Sequence, residues 1–177
     1  PGTSVLGHCF FVAVITLLLS LESGSKMCAA RLYDNFFSAL FHDLPESVTR
    51  DIISPVKQAT NGLPAIVKNI EDQIVSKELV PLMEDFYKDE ILYFTSDEFS
   101  NRILENGRTK VVSFEELNTL YSKDEYHPVD GKTVRLADHY SALLEADLSI
   151  KHGITSSQLR DGRNNLVSSH APGLFVN

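Results

Sequence analysis

The sequence predicts an all-α protein of one domain. Three observations carry that expectation: apolar residues recur at spacings of three and four in several segments, no alternating run is convincing as a strand, and residues 5–21 are apolar all round, as at the centre of a helical protein. The chain has 177 residues with 16 Lys+Arg against 24 Asp+Glu, a length that suits a single core. Its formal net charge of -8 lacks the basic footprint that a nucleic-acid polymer requires. The two cysteines, Cys9 and Cys28, are too few for a disulfide scaffold and lack metal-finger spacing, which favours a reducing, cytoplasmic setting.

The first element, VLGHCFFVAVITLLLSL, is long enough to resemble a membrane span or an export signal. No Lys or Arg precedes it and His8 lies within it, so a buried helix is expected and a membrane role is not. Pro1 stands where a start Met would, which implies that residues upstream are missing from this chain. Ser23-Gly24-Ser25 ends the helix. Residues 29–41 form the next, with Leu32, Phe36 and Leu40 on one face; Pro45 disfavours helix at Leu44, so His42 and Asp43 fall at its end. Asn61-Gly62-Leu63-Pro64 is a turn before a helix through Ile66, Ile70 and Ile74, and residues 82–93 read as another amphipathic helix. Residues 101–131 are the least periodic, with turn signals at Asn106-Gly107 and Asp130-Gly131; they read as loops around a short helix at 113–120, and any strand content belongs there. Residues 133–150 form a strong helix with Val134, Ala137, Ser141, Leu144 and Leu148 on its core stripe, closed by Lys151-His152-Gly153. Beyond Gly162 no period is visible, and residues 161–177 are expected to be an irregular tail behind a domain of residues 1–160.

Chemistry is suggested where ionisable residues occupy apolar positions. His8 interrupts the most hydrophobic helix, His42-Asp43 follows Ala39-Leu40-Phe41, and Asp138 follows Ala137 on the late core stripe. A buried carboxylate without a partner is costly or becomes protonated. One shared divalent cation would resolve all four positions, because two imidazoles and two carboxylates suit a borderline-to-hard metal with room for water. Taken singly, each residue is better explained by structure than by catalysis: a core histidine bonded to a carbonyl, a chance His-Asp pair, a helix flank.

The order H…HD…D resembles the HD superfamily of metal-dependent phosphohydrolases. The segment FHDLPESVTRDIISPVK, residues 41–57, is similar to the branch containing bacterial 5′-deoxynucleotidases and related uncharacterised hydrolases; Leu6-Gly7-His8 and Leu136-Ala137-Asp138 resemble its first and last ligand segments. The resemblance implies an all-α helical bundle around one divalent metal, Mn, Co, Mg, Fe, Ni or Zn, held by His8, His42, Asp43 and Asp138. It implies catalytic roles for Glu46 and Asp51, three and eight residues after Asp43, one as proton acceptor and the other as donor, in an order that the sequence does not assign. Lys57 is a candidate for binding substrate phosphate. His127, His139, His152 and His170 are not expected to be ligands, with His139 a candidate for supporting Asp138.

The implied activity is release of phosphate from a small phosphomonoester by attack of a metal-bound water, the best substrate being a deoxynucleoside 5′-monophosphate. Expected partners are thus a small phosphorylated metabolite or nucleotide, and a homodimer is allowed. The sequence departs from the deoxynucleotidases in having no Trp, where those carry an arginine-tryptophan segment, and in a longer stretch between Tyr93 and Val134. Glu46 is followed by Ser47, so the ppGpp-hydrolase branch, with paired acids there, fits less well. The alternatives are a metal-retaining but idle HD module of a longer protein, and an exported helical protein.

Overall fold

The structure, a computed structural model, describes residues 4–49, 63–154 and 156–174. It is mainly helical. Helix α1 spans Val5–Glu22; its N-cap Ser4 accepts a hydrogen bond from the Gly7 amide, satisfying one of the first-turn donors. Helix α2, Ala29–Phe41, returns beside it, and both pack against α7, Gly131–Lys151. Val12, Ala13 and Ile15 of α1, Ala39 of α2 and Val134 and Ala137 of α7 form the core there, flanked by Phe36, Leu40 and Tyr140.

The expectation of a buried first helix holds for one face only. Cys9, Val12, Ala13, Ile15, Thr16 and Ser20 are buried, whereas Leu6, Phe10, Leu18 and Leu21 are exposed. A helix apolar all round carries no periodic signal to say which side is covered. By length and composition it could cross a membrane, yet its packed side joins the main core.

After α2 come a short helix α3, Glu46–Thr49, then α4, Leu63–Ile74, which runs into a π turn at Val75–Leu79 and a 3-10 turn at Val80–Leu82 around Pro81. Helix α5, Asp85–Thr95, packs on α2 through a second cluster in which the rings of Phe37 and Phe41 stack on Phe94 at 6.0 and 6.3 Å.

The region expected to be loops contains a small sheet, and the strand content falls where the sequence allowed it. Strands β1, Asn101–Glu105, and β2, Arg108–Val111, form a hairpin; β3, Val129–Asp130, pairs antiparallel with the other edge of β1. The two-residue turn is Asn106-Gly107, with φ of 53° and 73°, a left-handed pair that Asn and Gly tolerate and that matches strand twist. Buried Arg102 donates to the carbonyls of Tyr93, Phe94, Asp97 and Ser100 and to Ser38, tying the hairpin to the end of α5. Helix α6, Phe114–Thr119, opens with a reciprocal capping box between Ser113 and Glu116.

Gly131 begins α7 directly behind β3. A Cβ there would lie 2.3 Å from the Ser100 carbonyl oxygen, so only glycine lets the helix start this close to the sheet. Leu148, expected on the core stripe, is exposed; near this end of α7 it is Ala146 that is buried and Asp147 that meets Arg163 of α8. The segment from residue 161, expected to be irregular, continues helix α8, Ser157–Leu174. Leu159, Arg163, Leu166 and Val167 are its half-buried face, and Arg163 Nε reaches Asp147 Oδ1 at 3.2 Å. With an arginine in that face and Asn and Gly between its members, the apolar period is too sparse to stand out.

Candidate metal centre

The folding of α1, α2 and α7 into one core brings four residues together. His8 lies in the second turn of α1; His42 is the C-cap of α2 and Asp43 follows it; Asp138 follows the core residue Ala137 on α7. The chain leaves α2 through a tight turn in which Leu44 N–H donates to the Phe41 carbonyl and Glu46 N–H to that of Asp43. Pro45 within it prevents α2 from continuing in register.

His8 Nε2 lies 3.2 Å from Asp138 Oδ1 and 3.7 Å from Asp43 Oδ2. His42 Nε2 lies 3.3 Å from Asp43 Oδ2 and 3.9 Å from Asp138 Oδ1. One ligand atom each from His8, His42 and Asp138 fall within 4.8 Å of one another, and so do those of a second set, Cys9, His42 and Asp43. The Phe99 ring, 5.9 Å from that of His42, walls the cluster on the core side.

His42 provides the sharpest local test of a metal's fit. Its Nδ1 donates to the Ala39 carbonyl at 2.8 Å, so that in the neutral ring Nε2 keeps its lone pair. That Nε2 is buried and has no hydrogen bond. An acceptor nitrogen facing two carboxylates is poorly placed in a purely structural cluster and well placed as a ligand.

The charges are coupled. Hydrogen bonding to Asp138 raises His8 to about 9, against the opposing effect of burial, with Glu145 and Asp43 adding to the rise. Burial raises Asp43, offset in part by His42 and augmented by the like charge of Asp138. Burial also pushes on Asp138, but its hydrogen bond from His8 and the nearby imidazoles hold it below the usual carboxylate range. Burial pushes the Cys9 thiol to about 11, with Asp43 and Glu46 contributing.

Glu46 opens α3, one turn beyond Asp43, and its charge is felt at Cys9 beside the cluster. Asp51 and Lys57 lie outside the described residues. His127 pairs with Asp34 at 3.3 Å, and His152 Nδ1 contacts the Leu148 carbonyl, so neither joins the cluster. His139 acts electrostatically on Asp138. The sequence reading passed over Cys9, and over Glu145, whose Oε1 lies 3.3 Å from His8 Nδ1. The signal for Glu145 was its position two turns along the α7 face that bears Asp138 and Ser141. A cavity of about 1080 Å³ is lined by Asp34, Glu90, Tyr93 and His127 among others, and by none of the clustered residues.

No curated protein and no solved structure matches the chain. A family model described as HD domain does match, over residues 1–167. That span takes in α1, α2, α7 and all four clustered residues, and the chain therefore belongs to the HD-domain family.

Proposed function

We propose that the protein is a metal-dependent phosphohydrolase acting on a small phosphomonoester, with a deoxynucleoside 5′-monophosphate as the first substrate to test. The observation that carries this reading is the buried His42 Nε2, without a hydrogen bond, set beside His8, Asp43 and Asp138 in a family of metal-dependent hydrolases. His8, His42, Asp43 and Asp138 would hold one divalent ion such as Mn, Co, Mg, Fe, Ni or Zn. When bound, such an ion supplies positive charge for a phosphoryl oxygen and acidifies water.

The remaining steps fall to the chain's own residues. Asp43 and Asp138, on separate elements, supply carboxylates that orient the two imidazoles. Glu46, at the start of α3, is the described carboxylate assigned to proton transfer, in partnership with Asp51. One accepts the proton of the attacking water and the other protonates the leaving alkoxide. Lys57 is assigned to the substrate phosphate.

Purified protein, stripped and reloaded in turn with each ion, is assayed for phosphate release from a panel of phosphomonoesters that includes the deoxynucleoside monophosphates. Turnover that depends on the ion, and falls about 10² to 10⁴-fold in Glu46→Gln and in Asp51→Asn while metal occupancy persists, is the expected result. Bound metal with no turnover on any ester would replace this reading with that of an idle binding module.

A further inference from the structure

The two imidazoles of the cluster are backed in different ways. His42 Nδ1 rests on a backbone carbonyl, that of Ala39. His8 Nδ1 points instead at a carboxylate and a hydroxyl: Glu145 Oε1 at 3.3 Å and Ser141 Oγ at 3.4 Å. Ser141 Oγ also lies 3.4 Å from Glu145 Oε1, so the three groups form a closed triangle. Ser141 is fully buried, while the Glu145 side chain is about one-third exposed, at 36%. Both stand on α7, on the face that carries Asp138.

Glu145 is seven residues beyond Asp138, nearly two helical turns. A single helix face thus presents a carboxylate to His8 Nε2 and another to His8 Nδ1. An imidazole held this way has its ring plane and tautomer fixed from behind, and a carboxylate on the far nitrogen makes the near one a stronger donor to a cation. Helix α1 contributes few polar groups of its own near His8, so the orientation of that ring is set from α7.

We propose that Glu145, assisted by Ser141, is a positioning residue that holds His8 with Nε2 directed into the cluster and strengthens it as a ligand. This rests on the reading of His8, His42, Asp43 and Asp138 as a metal centre. Within the cluster Glu145 contacts His8 and Ser141, and its role is exerted through His8.

The test is binding of Mn(II) and Co(II) to the full chain, followed by calorimetry and by the visible spectrum of the Co(II) form, in parent, Glu145→Ala, Glu145→Gln, Ser141→Ala and His8→Ala. Glu145→Ala should weaken metal binding about 10 to 100-fold and perturb the Co(II) bands, while the melting temperature of the metal-free protein stays near that of the parent. Glu145→Gln keeps an acceptor oxygen and should recover part of the loss; Ser141→Ala should cost only a few-fold. If Glu145→Ala binds and colours like the parent while His8→Ala loses binding, the positioning role is overturned and the metal reading stands. If parent and His8→Ala bind alike, or neither binds, the metal reading falls and the proposal with it. A lowered melting temperature in Glu145→Ala with unchanged affinity would reduce the contact to a structural one and also overturn the proposal.

Discussion

Two buried ionic groups lie on the same helix, α2, and they are built to opposite ends. Near its start, Arg31 meets Asp130 through Nε at 2.8 Å and Nη2 at 2.6 Å, with both side chains at 0% exposure. Asn35 donates to Asp130 Oδ2 and accepts from the Asp130 amide, each at 2.8 Å, and also donates to Ser20. Arg31 Nη1 is taken by Asn118. No side-chain atom of Arg31, Asn35 or Asp130 is left buried without a hydrogen bond. At the other end of the helix, His42 Nε2 is left so, and two carboxylates crowd two imidazoles at distances from 3.2 to 3.9 Å. The first group is complete in itself and fixes α2 to β3; the second leaves His42 Nε2 without a hydrogen bond among groups that could hold a metal ion. Buried charge alone does not separate the two groups; Thr16 Oγ1, Asp34 Oδ2 and Arg102 Nε are likewise buried without a hydrogen bond, so what sets His42 Nε2 apart is that lack together with a second imidazole and two carboxylates around it.

That contrast can be broken from either side. Asp130→Ala should have the largest effect on folding, a loss of about 3–5 kcal/mol in denaturant unfolding whether or not metal is present, because Arg31 is left buried without its counter-charge. A loss below about 1 kcal/mol would show that the pair does not fasten α2 to β3. His42→Ala should act in the reverse manner: little change that is independent of metal, but loss of the stabilisation that a divalent ion confers on the parent, about 4 kcal/mol at a thousandfold excess over its dissociation constant. Melting curves with and without added Mn(II) read this directly, and a parent insensitive to the ion would contradict it.

A smaller effect follows from titration of the metal-free cluster. His8 is raised to about 9 from an unfolded value near 6.5, so its contribution is complete below 6.5 and disappears as pH rises through 9. Asp138, held low, adds stability above its ordinary range that is lost only in acid. With chelator present, stability should fall by about 1–3 kcal/mol between pH 6.5 and 9, allowing for the partial exposure of His8, and the slope should flatten in His8→Ala. A parent with no slope across that window would remove the ion pair from the account. Least of all, Ser20→Ala should cost about 1 kcal/mol, since it removes one partner of Asn35 while the Arg31 pairing survives. Chemical denaturation of that variant with and without metal would show a constant offset if the two groups are independent.

The helical architecture was legible because periodicity is local. The range of α2 follows from its apolar spacing and from Pro45, and that of α7 from the recurrence of Val134 and Ala137. The same locality exposed the cluster: histidine within an apolar run and aspartate beside a core alanine are anomalies visible without a partner. The β1–β2 hairpin was less legible, because short strands of four or five residues show no clear alternation and β2 is exposed along its whole length. Helix α8 escaped for a related reason, its half-buried face being drawn partly from an arginine.

What the sequence determined by itself was therefore the helical class, most helix limits and which ionisable residues sit in apolar surroundings, all consequences of neighbours within a few turns. Tertiary structure alone decided which side of α1 is covered, since that helix is apolar on every side. It decided that Arg31 meets Asp130 across 99 residues, and that Glu145 stands behind His8 across 137. Such pairs carry no mark in the chain, because a charge is acceptable on a surface or in a core, and only the packing of distant helices determines where its counter-charge lies.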